Sequence, residues 1–345
     1  MPRLRKRIRA SPWAKLFERS VLALTRNAMK IGTQALVRAI KPGATRRAAQ
    51  PAVARRAATG GTWSHGVAIG SAGARRFQLY RPPGLKAGER VPLLVMLHGC
   101  GQDATAFAHS THMQRIARSE RFLVLFPEQD RLANPQGCWN WFDTSSGRAF
   151  GEAALIMNAI DQVCLLHPAD HARVAVAGFS AGASMAALLV TRHPDRFKAV
   201  AMHSGIAPGT AHSTLSAMAA MRGRRPARPL AATPQSMAAA WPPLLVIHGN
   251  ADRLVLPVNG GAAARLWASA ALARAGAPRR VKYGQRHAMS ITDFKAGDRL
   301  VATLAEVDGL PHAWSGGTGK LPNSDPRGPD VSRMIWGFAA RQFSR

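Results

Sequence analysis

Hydrophobic positions along this chain fall into two textures. Short, unbroken apolar runs recur at 91–97, 122–127, 173–179, 199–202, 243–248 and 300–307. A strand written this way is buried on both faces, as in a parallel sheet covered by helices. Between these runs lie segments with helical periodicity, at 104–119, 152–166 and 258–275, and a closing amphipathic one at 330–343. Two further strands, 63–69 and 76–80, flank a Ser71-Ala72-Gly73 turn, and Pro82-Pro83-Gly84 ends the second. The alternation predicts an α/β domain over 61–345, built on a mostly parallel, doubly wound sheet flanked by helices, with the 300–307 run as its last strand. The stretch 207–240 is poor in pattern, rich in Ala, Pro, Met and Arg, and carries Arg222, Arg224, Arg225 and Arg228. It is expected to form an inserted cap or a mobile loop.

One strand boundary carries chemistry. The 173–179 run breaks into Gly178-Phe179-Ser180-Ala181-Gly182, and an Ala-, Met- and Leu-rich helix follows. A G-x-S-x-G turn between strand and helix lifts a serine hydroxyl above the sheet edge, and the start of the helix offers free N–H groups to an oxyanion. An activated serine needs a base and an acid to orient that base. In chain order after Ser180, Asp252 lies just past the 243–248 strand and His312 just past the 300–307 strand. Ser180, Asp252 and His312 are therefore the candidate nucleophile, orienting acid and base. His98, His203 and His248 also sit at strand ends and read as structural, with His203 and His248 as fallback bases and Asp308 as fallback acid. Candidate oxyanion donors are the Ala181 N–H and the Cys100 N–H, the latter on the His98-Gly99-Cys100-Gly101 loop.

The remaining residues add less. Cys100 and Cys138 lie on loops bordering the site, either bonded to each other or reduced, and Cys164 reads as core. Trp139, Trp141 and Trp314 flank two site loops and are candidates for a flat apolar wall against substrate, ordinary packing being the alternative. No Cys/His spacing fits a metal site, and the chemistry calls for no cofactor.

Positive charge is concentrated at one end of the chain. The chain has 345 residues, 47% of them apolar, with a formal net charge of +29. Residues 1–60 hold fifteen Lys and Arg against one acid, Glu18. They read as a separate basic arm: an amphipathic helix at 13–40 with Trp13, Leu16, Phe17, Leu24 and Ile31, then a linker at 41–60. Such an arm suits an anionic surface, the alternative being a solvated tail, and no specific nucleic-acid partner is indicated. The basic start lacks the apolar run of a clear signal peptide, and no uncharged apolar stretch is long enough to span a bilayer.

Taken together, Leu97-His98-Gly99-Cys100-Gly101-Gln102, Gly137-Cys138-Trp139-Asn140-Trp141, Gly178-Phe179-Ser180-Ala181-Gly182, His203-Ser204-Gly205, His248-Gly249-Asn250-Ala251-Asp252 and Gly309-Leu310-Pro311-His312-Ala313-Trp314 resemble the esterase family of polyhydroxybutyrate depolymerases. The resemblance runs from about Thr62 onward, in the variant whose oxyanion loop precedes the triad. It implies an α/β-hydrolase fold, hydrolysis of short-chain hydroxyalkanoate polyesters or oligomers, a Cys100–Cys138 bridge and an extracellular location. Without a clear signal peptide, a cytoplasmic location stays open. No substrate-binding module is recognised after the catalytic domain, so soluble or amorphous substrates are expected. Related members act as feruloyl or acetylxylan esterases, which is the alternative reading. A non-enzymatic protein that binds an anionic surface is a further one. The arm itself yields a test: the full chain should bind anionic vesicles at low salt and release them at high salt, and deletion of residues 1–60 should abolish this binding. Equal binding by both forms would place it elsewhere.

Overall fold

The computed structural model describes residues 60–228 and 240–344. The basic arm, its expected helix at 13–40 and all of the linker but Gly60 lie outside these residues, as do positions 229–239 of the expected cap. In chain order the elements are β1 (Thr62–Gly70), β2 (Gly73–Arg81), β3 (Val91–Leu97), α1 (Ala104–Thr111), α2 (Met113–Glu120), β4 (Leu123–Pro127), α3 (Arg148–Leu166), β5 (Ala169–Phe179), α4 (Ala181–Arg192), β6 (Ala199–His203) and α5 (Thr214–Met221). They continue with β7 (Leu244–Gly249), α6 (Val258–Ala270), β8 (Arg274–Ala275), β9 (Arg279–Val281), β10 (Met289–Ala296), β11 (Arg299–Val307), β12 (Trp314–Ser315), β13 (Ser324–Asp325) and α7 (Val331–Phe343).

An 11-stranded sheet runs in the order β1-β2-β4-β3-β5-β6-β7-β11-β10-β8, with β9 also on β10. The pairings from β4 through β11 are parallel, while the β1-β2 and β10 flanks are antiparallel. This is the α/β sheet that the apolar runs predict. Successive residues of each central strand divide between two cores. Leu93, Val95, Val174, Val176, Val200 and Val246 pack under α3, α4 and α6. Leu94, Met96, Ala175, Ala177, Ala201 and Ile247 pack under α1, α2 and α7. Both faces are covered, so no polar alternation survives in the sequence. Helix α3 is apolar and long enough to cross a membrane by length and composition, yet half of it is buried inside the protein, where it lies on the sheet.

The structure departs from the expected elements where tertiary contacts intervene. The single helix expected at 104–119 is two, broken at His112 (φ 52°). The carbonyl of Ser110 accepts from Thr318 N and that of Thr111 from Ser332 Oγ (2.7 Å), so distant residues take up the end of α1. The helix expected to run to 275 stops at Ala270, because Arg274 and Ala275 pair with β10 instead. Strands β9 and β10 form where the hydrophobic pattern predicts none, and 300–307 is not the last strand, since β12 and β13 follow. The expected cap holds an ordered helix, α5, whose start is tied by reciprocal Ser213–Ser216 hydrogen bonds. Its Ala217 and Ala220 are buried in the core.

Helix α4 lies unusually close to the strand ends. A Cβ on Gly182 would stand 2.2 Å from the Leu97 carbonyl oxygen and 2.5 Å from that of His98. Backbone cannot yield as a side chain can, so Gly182→Ala should cost about 3 kcal/mol or more in urea unfolding. Gly337→Ala, on α7 with only the tip of Arg341 at 3.8 Å, should be neutral or stabilise by up to about 1 kcal/mol. Equal effects at the two positions would contradict this packing.

Candidate active site

The end of β5 and the start of α4 leave one residue to reverse the chain. Ser180 occupies it with φ 54° and ψ −119°, a conformation that costs a non-glycine residue about 1–3 kcal/mol. The surroundings enforce it. A Cβ on Gly178 would lie 2.3 Å from the Gly182 carbonyl carbon, so strand and helix meet through glycine backbone. Ser180 N–H donates to the His203 carbonyl (2.8 Å), fixing the turn to the neighbouring strand.

Two other loops converge on the hydroxyl. Ser180 Oγ stands 3.0 Å from His312 Nε2, and His312 Nδ1 stands 2.7 Å from Asp252 Oδ2. A carboxylate only accepts, so Nδ1 carries the proton and Nε2 is free to accept from the serine. Asp252 is buried. Its Oδ1 accepts from the N–H groups of Leu254 and Val255, each at 2.9 Å. His248 Nε2 donates to the Val255 carbonyl (2.9 Å) and lies 3.4 Å from Asp252 Oδ2. Burial works against the charge on Asp252, but the hydrogen bonds and fields of His248 and His312 outweigh it and hold the carboxyl well below its ordinary range. The arrangement can draw a proton from Ser180 onto His312 while an ionised Asp252 faces the resulting imidazolium.

The other histidines at the sheet edge brace this site. His98 Nε2 accepts from Gln129 N–H (3.0 Å), so its Nδ1 donates to the Gly99 carbonyl (2.8 Å). His203 Nε2 accepts from Ser315 N–H (3.2 Å), just beyond His312, and its Nδ1 donates to Ser204 Oγ (3.0 Å). Burial pushes His98 down to about 4, and burial together with the fields of His248 and His312 pushes His203 down to about 3. Both are neutral, as their structural reading requires. Asp308 is engaged with Arg280 and Asn250, away from the relay.

Cys100 and Cys138 are disulfide-bonded. The Cys100 N–H follows the end of β3, and the Ala181 N–H opens α4. Neither donates to a backbone acceptor among the described residues. The tryptophans correct the expected substrate wall. Trp139 and Trp314 are 0% and 1% exposed. Trp139 Nε1 donates to the His98 carbonyl (3.1 Å), and Trp314 Nε1 to Ser332 Oγ (3.1 Å). Trp314 also stacks on His203, and Trp141 is buried edge-on to Phe142. These rings are spent on holding the loops, which leaves little face for a ligand. The expected cap flanks the acid loop, with the Met221 carbonyl accepting from Leu256 N–H (2.9 Å).

Reasoning from sequence overlooked Glu152. It is buried on α3 and accepts from Gln129, Asn140 and Arg75. A signal was present: an acid on the helix face that also carries Ala149, Ala153 and Ile156 must find partners or unsettle the core.

The family model described as Esterase PHB depolymerase matches residues 75–280. Poly(3-hydroxyalkanoate) depolymerase C of Paucimonas lemoignei is 31% identical over 194 residues, spanning 52% of this chain and 44% of that protein. Feruloyl esterase B of Thermothelomyces thermophilus is 28% identical over 191 residues, spanning 52% of this chain and 65% of that protein. The match therefore leaves a third or more of each relative uncovered. Among solved structures, an acetyl xylan esterase from Aspergillus awamori superimposes with a TM-score of 0.59 at 19% identity, covering 81% of this chain and all of that one, a likeness of fold.

The buried histidines make stability depend on pH. An unfolded histidine takes up a proton below about pH 6.5, whereas native His98 and His203 resist until about 4 and about 3. The unfolded state thus binds more protons, and stability falls as pH drops from 7 toward 4, by up to about 1.4 kcal/mol per pH unit for each histidine. Asp252, held low, loses its contribution only below about pH 4. Urea unfolding between pH 7 and 4.5 should show this slope, and His203→Gln should reduce it. An unchanged slope would mean that His203 takes up its proton as readily in the native state as in the unfolded one.

Proposed function

This chain belongs to the Esterase PHB depolymerase family, and on that footing we propose that it is a serine ester hydrolase acting on short-chain polyhydroxyalkanoate polyesters or their oligomers. The observation that carries this reading is the continuous relay from Ser180 Oγ through His312 to Asp252, at 3.0 and 2.7 Å, on a strained strand-to-helix turn. His312 Nε2 takes the serine proton as Oγ attacks the ester carbonyl. The N–H groups of Cys100 and Ala181 receive the oxyanion. His312 then protonates the departing alcohol, and the acyl group stays on Ser180. A water attacks this ester by the same route, and the acid leaves. Asp252 holds His312 in the required tautomer and faces its positive charge.

The substrate class rests on the family and on the depolymerase relative. A second reading, a feruloyl- or acetylxylan-type esterase, draws on the feruloyl esterase match, of which a larger share is covered. The Cys100–Cys138 bond favours an oxidising, extracellular setting, since such bonds rarely persist in a reducing cytosol. Catalysis is assigned to residues 61–345, and contact with an anionic surface to the basic arm.

The test is product release from amorphous polyhydroxybutyrate beside p-nitrophenyl butyrate, with the native chain and with Ser180→Ala. The native chain should act on both, and the variant should lose at least about 10³-fold of kcat on each while remaining folded. Turnover of the small ester alone would move feruloyl or acetylated glycan esters to the front. Substantial turnover by Ser180→Ala would remove the serine from the mechanism.

A further inference from the structure

Among the described residues, Glu152 is a fully buried carboxylate on α3, bonded to the loop that carries Cys138, and none of the chemistry above uses it. Both of its oxygens are engaged. Oε1 accepts from Gln129 Nε2 (2.7 Å), Asn140 Nδ2 (2.7 Å) and Arg75 Nη2 (3.3 Å), and Oε2 accepts from Asn140 N–H (2.9 Å). The donors come from β2, from the turn after β4 and from the loop that carries Cys138. A buried ion pair seldom repays its own desolvation, so stability by itself is a poor reason for a carboxylate here.

What these bonds hold is the segment opposite the Cys100 loop. Gln129 Nε2 also donates to the Cys138 carbonyl (2.9 Å), and Gln129 N–H donates to His98. Trp139 Nε1 donates to the His98 carbonyl, and Gly101 N–H to the Gln136 carbonyl (2.9 Å). The disulfide closes the set between Cys100 and Cys138. Residues 98–101 are thus tied on both sides of Cys100 to residues 136–139, and Glu152 fixes the next residue, Asn140, by its backbone and its side chain.

We propose that Glu152 is a positioning residue that sets the place of the Cys100 N–H, so that its carboxylate contributes to transition-state stabilisation through the disulfide-linked loops. This rests on the assignment of the Cys100 N–H as an oxyanion donor. An oxyanion donor is worth about 10²–10³ in kcat, and a small displacement forfeits part of that.

The experiment compares the full-length native chain with Glu152→Gln, which keeps the shape but replaces one acceptor by a donor. With p-nitrophenyl butyrate, kcat should fall about tenfold or more while KM stays within about twofold. Hydrogen exchange in the peptide 98–103 should rise in the same variant. Cys138→Ser removes the covalent link, and in that background Glu152→Gln should cost distinctly less, because the two act along one path. Wild-type kcat together with wild-type exchange in 98–103 would overturn the proposal even if the melting temperature fell, and so would a raised KM at constant kcat. Should Glu152→Gln fail to fold, Gln129→Leu, which cuts the bonds to Glu152 and Cys138 together, decides by the same two readings. Exchange needs no turnover, so a failure of the esterase reading, seen in Ser180→Ala, stays distinguishable from a failure of this one.

Discussion

The site depends on one close backbone contact, that of Gly182 at the first turn of α4 against the carbonyls of Leu97 and His98 at the end of β3. It leaves the chain a single residue, Ser180, in which to pass from strand to helix, and that residue takes a positive φ. The same approach brings the start of α4 beside the loop that leaves β3, so the Ala181 and Cys100 N–H groups share one neighbourhood. Candidate nucleophile and candidate oxyanion donors are consequences of a single packing event, and the absence of a Cβ at 178 and 182 permits it.

Electrostatics at this edge of the sheet is arranged around one buried negative charge. Asp252 receives two backbone N–H groups on one oxygen and faces histidines at the other. That environment keeps it ionised in spite of burial, so it could face a positive charge on His312. The nearby His98 and His203 are kept neutral by burial and by acceptor roles at one ring nitrogen. A charged His203 would compete for the field of Asp252. A neutral one serves as a brace, linking the Ser180 turn, through the His203 carbonyl, to the segment just after His312 through Ser315 N–H.

Long loops carry the rest, and they are stiffened by buried polar contacts. The segment after β4 is fixed by Glu152, by the disulfide and by the indole N–H bond of Trp139. The C-terminal segment is fixed through Trp314, Ser315 and Ser332, whose partners lie on α1, on β6 and beside α7. This is why the tryptophans that flank the site are interior residues: their rings lie in the cores, and Trp139 and Trp314 also donate an N–H to the His98 carbonyl and to Ser332 Oγ, which pins irregular backbone.

The central strands, the order of Ser180, Asp252 and His312, and their positions just past strand ends are legible in the sequence. These are local properties, since a strand buried on both faces must be continuously apolar, and a G-x-S-x-G turn is written in adjacent residues. The tertiary structure decided what depends on distant partners. The break at His112 follows from Ser332 and Thr318, the early end of α6 from pairing with β10, and the burial of Trp139 and Trp314 from acceptors at His98 and Ser332. Glu152 was visible as an acid on an apolar helix face, but its meaning was not, because its donors at positions 75, 129 and 140 meet only when β2, β4 and the disulfide loop close over α3. A hydrogen bond between residues far apart in the chain leaves no periodicity to read, whereas burial of a strand or helix face does.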